Sequence, residues 1–186
     1  MCKKCFLKVK PYSQEIKVDL EKNYLDAALA AAYYEKPIST LIHELKYKNV
    51  KDVGLTCARM MHYLLKIPKA DLITYVPLHK KRLQERGFNQ SKVIAKELSR
   101  LTTIPCQSLL IRKKHSPPQA KINSREERLS RMNNVFAWKQ NTNNNYKSVL
   151  LVDDVATTFT TLNECAKILK ANGFEKVIAL VVAHGD

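Results

Sequence analysis

The sequence predicts an α/β domain built on a mainly parallel, twisted sheet flanked by helices, and three observations lead there. Residues 148–183 alternate buried-strand, helix and buried-strand patterns, which makes a βαβ unit. A second β-prone run, Asp71 to Pro77, is closed by its proline. The stretches around these runs carry apolar residues at helical spacing. Parallel strands need such helical crossovers, because the chain must return to the same end of the sheet before it can pair.

Taken in order, the first fifteen residues are basic and hold Cys2-Lys3-Lys4-Cys5, the one closely spaced cysteine pair. Residues 16–34 are apolar and alanine-rich and end in Tyr33-Tyr34. Pro37 stands where a helix can begin, and Leu41, Ile42 and Leu45 follow at helical spacing. A further helix is predicted from about Asp52 to Lys66, stopping at Pro68. After the strand at 71–77, residues 78–90 read as a polar, basic loop. The next helix runs to about Arg100, with Ile94, Leu98 and Leu101 on one face. A short strand is predicted at 106–111.

Residues 112–134 differ in kind. They hold Arg112, Lys113, Lys114, Lys121, Arg125, Arg128 and Arg131 against Glu126 and Glu127, and include Pro117-Pro118. Too few apolar residues are present to fix such a segment to a core, so a mobile basic loop followed by a short helix is expected. Trp138, close to Phe136 and Tyr146, is expected to pack a hairpin or sheet face. An Asn-rich turn at 141–145 leads to the strand Ser148 to Val152, then to a polar turn from Asp153 to Thr161. Leu162, Cys165, Ala166 and Leu169 mark a helix that Gly173 ends, and Lys176 to Ala183 is the closing strand.

At 186 residues, 45% of them apolar and 26% charged, the chain fits one compact domain with an ordinary core and does not fit a disordered one. Its charge is unusual: 32 Lys and Arg against 17 Asp and Glu leave +15. Such an excess attracts polyanions over long range, which points to nucleic acid or a phosphate-rich ligand. The longest apolar runs, such as Val177 to Ala183, fall far short of the roughly 20 residues a spanning helix needs. With five cysteines and no secretory pattern, the thiols are expected to be reduced and the protein cytoplasmic. Cys57, Cys106 and Cys165 fall inside apolar elements and read as small core fillers.

The chemistry is expected beyond the carboxyl ends of the strands, near helix N-termini. There stands Asp153-Asp154-Val155-Ala156-Thr157-Thr158-Phe159-Thr160-Thr161. Adjacent carboxylates accept hydrogen bonds from vicinal hydroxyls, or hold a magnesium ion that also touches pyrophosphate. The threonine hydroxyls and the unpaired N–H groups of the helix start suit a phosphate monoester. The plainer alternative is a helix start with two solvated aspartates.

The stretch Val149 to Thr158 resembles the phosphoribosyl pyrophosphate motif of type I phosphoribosyltransferases. Further segments make the chain similar to the ComF family, seen in competence proteins that handle incoming single-stranded DNA. They are Leu41 to Tyr47, Val76-Pro77-Leu78-His79, Arg82 with Arg86-Gly87-Phe88-Asn89-Gln90, and then Arg112, Gln119, Arg125, Asn133 and Phe136. The resemblance runs from about residue 2 to 183. It implies a type I phosphoribosyltransferase-like domain over 16–186, preceded over 1–15 by the remnant of a zinc-ribbon-like segment.

It further implies that Asp153 and Asp154 face ribose hydroxyls, that Thr157, Thr158 and Thr161 bind the 5′-phosphate, and that the loop after Val76, with His79, meets pyrophosphate carried with magnesium. The basic loops offer Lys80, Lys81, Arg82, Arg86, Arg112, Lys113, Lys114, Arg125 and Arg128 to a nucleic-acid backbone. Phosphate contacts of this kind carry no sequence information and weaken steeply with salt. The implied role is handling of single-stranded DNA during uptake and natural transformation, in the cytoplasm or at the inner membrane through partner proteins. The alternative is an active phosphoribosyltransferase acting on a nitrogen nucleophile. No catalytic residue is assigned.

Two departures from the family pattern stand out. Phe159 occupies the usual position of a glycine, whose lack of a Cβ permits unusual torsions and close backbone approach. It is expected to crowd the site, to stack on a base or, most simply, to repack. A tetrahedral zinc site needs four ligands, and Cys2 and Cys5 supply two, so zinc is not expected in this chain as it stands.

Overall fold

The computed structural model describes residues 3–12, 16–18, 22–47, 51–113, 135–139 and 145–185. A four-stranded, all-parallel sheet has the order β1 (Ala27–Tyr33), β6 (Lys176–His184), β5 (Ser148–Ala156), β2 (Leu72–Tyr75). Strands β3 (Leu110–Arg112) and β4 (Phe136–Trp138) form a separate antiparallel pair. Among the described residues the helices are α1 (Lys3–Phe6), α2 (Ile38–Tyr47), α3 (Lys51–Leu64), α4 (Lys80–Arg86), α5 (Gln90–Thr102) and α6 (Thr160–Ala171).

Both faces of the sheet are covered, which is why β5 and β6 read as continuous apolar runs and not as alternating ones. On one face Leu162, Cys165, Ala166 and Leu169 of α6 pack on Val149, Leu151, Val177 and Ala179. On the other, Ile42 and Leu45 of α2, Ala58 and Met61 of α3, and Ile94 and Leu98 of α5 pack on Leu150, Val152, Ile178 and Leu180. Cys57 and Cys165 are buried among them, and burial pushes the Cys57 thiol up to about 12, so it serves as an inert filler. Cys106 is only partly buried and makes an isolated parallel bridge to Ile73.

That bridge fixes the topology around the site. The chain leaves β2 through α5 toward Cys106 on the outer edge, and leaves β5 through α6 toward β6 on the inner side. The two helices lie on opposite faces. A switch point therefore opens between the carboxyl ends of β2 and β5, where such sheets place ligands.

The alanine-rich run, to which the sequence reading assigns no element, supplies the edge strand β1, although alanine is a poor strand former; its small side chains are buried on both faces of the sheet. Several expectations are corrected. The predicted loop at 78–90 contains α4, started by His79, ended by Gly87 in the left-handed conformation (φ 70°) and carrying no buried residue. The strand predicted at 106–111 lies at 110–112. Strand β5 does not stop at Val152 but continues through Ala156, because Asp153 and Val155 still pair with Val181 and Ala183 of β6. Asp153 and Asp154 are therefore strand residues and not turn residues. The basic loop expected within 112–134 and the Asn-rich turn lie largely outside the described residues, as do Lys114, Arg125, Arg128 and Cys2. Trp138 packs on the core beside Phe174, with ring centroids 6.4 Å apart.

Candidate functional site

At the end of β5, Asp153 and Asp154 project to different partners, as successive residues of a pleated strand must. Asp153 Oδ1 accepts from Ser91 Oγ at 2.6 Å and from the Asp154 amide at 2.9 Å. Asp154 Oδ2 faces Lys46 Nζ at 3.1 Å, and its Oδ1 accepts from the Val155 amide at 2.7 Å. Burial and the adjacent Asp154 charge push the Asp153 carboxyl up, to about 7, against the Ser91 hydrogen bond. Burial by itself would lower the Lys46 ammonium, but attraction to Asp154 and Asp153 turns its shift upward.

Neither Lys46 nor Ser91 was singled out for a role by sequence reasoning. Lys46 lies within the Leu41–Tyr47 segment, where Ile42 and Leu45 are core residues and Lys46 is the neighbouring residue turned toward the carboxylates. Ser91 follows Asn89-Gln90 at the start of α5. A lysine and a serine near helix ends carry no signal of this kind until the topology brings α2 and α5 to the end of β5.

The motif Arg86 to Gln90 is chiefly scaffold. Gly87 ends α4 and Phe88 is buried in the core. Asn89 caps α5 through its Oδ1 and the Lys92 amide, while its Nδ2 donates to the Val76 carbonyl at 3.0 Å. Arg86 donates to Gln90 Oε1 at 3.4 Å. The loop after β2 is thereby tied to the first turn of α5. His79, offered by the sequence to pyrophosphate, has its Nδ1 accepting from the Lys81 amide at 3.3 Å, so this nitrogen is used to start α4.

After β5, Thr157 and Thr158 are exposed and Thr161 is half-buried in the first turn of α6. The Thr158 and Thr160 hydroxyls lie 3.0 Å apart. Phe159 precedes α6 with φ 54° and ψ 3°, the left-handed conformation that glycine adopts freely and that costs another residue about 1 kcal/mol. Its side chain is 4% exposed, within the core, so it neither crowds the crevice nor offers a face to a base. The repacked reading of Phe159 is the one that the structure supports.

Arg112, on β3, lies over the Phe136 ring at 5.3 Å. Burial and then the charge of Arg82 lower its guanidinium, and Asp153 works the other way. Arg112 thus stands in the electrostatic neighbourhood of both rims of the crevice. Among the described residues its buried Nε has no hydrogen-bond partner, a costly state that an anionic oxygen would relieve. Lys80, Lys81, Arg82 and Arg86 stand on α4, and Lys113 follows β3. Cys5 is exposed on α1.

Among known structures, two give a TM-score of 0.50 at 19% identity, each over 74% of this chain. One is described as the allosteric regulatory enzyme of purine biosynthesis, the other as glutamine phosphoribosylpyrophosphate amidotransferase from B. subtilis. The chain spans 29% and 30% of those enzymes' lengths, and the likeness establishes the fold. No family model matches the chain. Among curated relatives, "DNA utilization protein YhgH" of Escherichia coli is 28% identical over 92% of this chain and 72% of its own length. "Competence protein ComFC" of Bacillus subtilis is 36% identical over 53% of this chain and 38% of its own. "Competence protein F" of Haemophilus influenzae is 33% identical over 163 residues, 82% of this chain and 70% of that protein. With that similarity and this fold, the chain belongs to the ComF family of phosphoribosyltransferase-like proteins.

Proposed function

We propose that this protein handles single-stranded DNA during DNA uptake and natural transformation, and that its crevice takes phosphoribosyl pyrophosphate or a related sugar phosphate. The observation that carries the reading is the juxtaposition at one end of the sheet. Asp153 and Asp154, held by Ser91 and Lys46, stand beside the start of α6, and the basic helix α4 follows the neighbouring strand. Relatives named for competence and for DNA utilization support the DNA role, and the +15 charge supports a polyanionic partner.

In this reading Asp153 and Asp154 take the ribose hydroxyls, and Thr157, Thr158 and Thr161 with the α6 amides take the 5′-phosphate. The loop from Val76 to His79 and Arg112 meet the pyrophosphate. Magnesium fits such a site as a companion of pyrophosphate: Asp153 Oδ2 makes no hydrogen bond among the described residues and can face it directly or through water. When bound, the ion would neutralise charge on the pyrophosphate. Lys80, Lys81, Arg82, Arg86 and Lys113 contact the nucleic-acid backbone, as would Lys114, Arg125 and Arg128. A cytoplasmic location follows from the same reading; among the described residues no helix is long and apolar enough to cross a membrane.

A second reading, a phosphoribosyltransferase acting on a nitrogen nucleophile, is favoured by the intact Asp153–Asp154 pair. Its chemistry would rest on positioning and on stabilising the leaving pyrophosphate.

Binding of a single-stranded oligonucleotide across a salt series tests the DNA role. Replacing Arg82 and Arg86 by Ala is expected to weaken binding and to flatten the logarithmic salt dependence by about 0.7 per lost phosphate contact. An unchanged slope would remove α4 from the nucleic-acid surface.

A further inference from the structure

The loop between β5 and α6 is braced from behind by aromatic rings that no motif predicts. The Phe159 ring lies 5.3 Å from that of His184, the last residue of β6. His184 meets Tyr12 edge-on at 5.4 Å, and Tyr12 lies 4.7 Å from Tyr33 at the end of β1. The imidazole is itself fixed: its Nδ1–H donates to the Ala156 carbonyl at 2.9 Å, immediately before Thr157. Tyr12 is held by its own amide, which donates to the Ala31 carbonyl at 3.2 Å, beside an antiparallel bridge between Pro11 and Ala32. Gly185 closes the same corner. Its amide donates to the Ala156 carbonyl, and a Cβ there would stand 3.5 Å from the Thr157 methyl.

We propose that His184, backed by Tyr12, is a positioning residue for the phosphate loop, holding Phe159 in the left-handed conformation that a glycine takes unaided. The proposal rests on the sugar-phosphate reading given above. An L-residue at this φ persists only where its surroundings over-determine it. Here a buried ring, a neighbouring aromatic and a hydrogen bond to the last residue of β5 do so together. Glycine allows the loop to reach a phosphate-binding shape, whereas Phe159 anchored on His184 fixes one shape in advance. The N-terminal segment joins the site through Tyr12.

The test separates the two halves of the crevice. Isotopically labelled protein is titrated with ribose 5-phosphate and, separately, with inorganic pyrophosphate. His184→Ala and Tyr12→Ala are expected to weaken ribose 5-phosphate roughly three- to tenfold, the scale of one aromatic contact. Pyrophosphate affinity stays at the wild-type value, because the loop after β2 makes no use of this corner, and Tyr12→Phe keeps both affinities. Wild-type ribose 5-phosphate affinity in His184→Ala overturns the proposal, and so does an equal loss for both ligands. Should the wild-type protein take neither ligand, the sugar-phosphate reading fails, and the free protein decides the present one. Displaced amide signals from Thr157 to Leu162 in His184→Ala support it, and unmoved signals overturn it.

Discussion

At the end of β5 each carboxylate is gripped from two sides, whereas at the end of β2 four basic residues stand on a seven-residue helix with no buried side chain. Asp154 is 8% exposed and paired with a lysine from α2, whereas Arg82 and Arg86 stand on a helix that carries no buried residue. The first rim is a built constellation in which removing one partner strands a charge. The second is an electrostatic surface, able to follow a flexible polyanion. In the proposed function the first takes a small, rigid, hydroxyl-bearing ligand and the second a nucleic-acid strand. One site can thus combine stereochemical recognition with recognition by charge alone.

Breaking the Lys46–Asp154 pair should have the largest effect. Lys46→Met leaves Asp154 buried without its cation and is expected to lower stability by about 3 kcal/mol, the low end for a buried pair because Lys46 is partly exposed. Chemical denaturation at neutral pH reads this directly, and a change within error would place the pair in water and not in the scaffold.

Asp153 sharpens the contrast through its pH dependence. Its folded carboxyl is raised above the ordinary value, so between about 4 and 7 the native state holds a proton that the unfolded state has released. Stability contributed there is present below that window and lost as pH rises through it. Asp153→Asn is therefore expected to stabilise the protein at pH 8, by at most about 4 kcal/mol at about 1.4 kcal/mol per pH unit, and to be neutral near pH 4. Thermal unfolding at the two pH values checks it; a gain of equal size at both would assign the effect to something other than ionisation.

Arg82→Ala with Arg86→Ala marks the other extreme. Substitutions on so open a helix should move stability by no more than about 0.5 kcal/mol, even as they weaken oligonucleotide binding. A large loss of stability would show that α4 is part of the scaffold.

The pattern of legibility follows the same divide. The βαβ unit was readable because β5 and β6 are buried on both faces and α6 carries a clean apolar stripe. The acidic pair was conspicuous because two adjacent aspartates interrupt an otherwise apolar run, although they lie within β5 and not after it. What escaped was everything that depends on tertiary neighbours. β1 is made of alanines, whose propensity argues against a strand, and it forms because β6 supplies the pairing. The extension of β5 through Ala156 escaped because polarity was read as a turn, whereas pairing with β6 continued. Lys46 and Ser91 escaped because a side chain's partner 62 or more residues away in the chain leaves no trace in local pattern. Phe159 was visible as an anomaly, but its resolution lay in Tyr12 and His184, at opposite ends of the chain.

The most direct test of the account is titration calorimetry of phosphoribosyl pyrophosphate with magnesium, repeated in the presence of a single-stranded oligonucleotide. The account predicts saturable binding of the sugar phosphate, abolished by Asp153→Asn with Asp154→Asn, and an affinity that changes when DNA is bound. No sugar-phosphate binding, with oligonucleotide binding intact, would contradict it and leave a nucleic-acid module with a vestigial pocket.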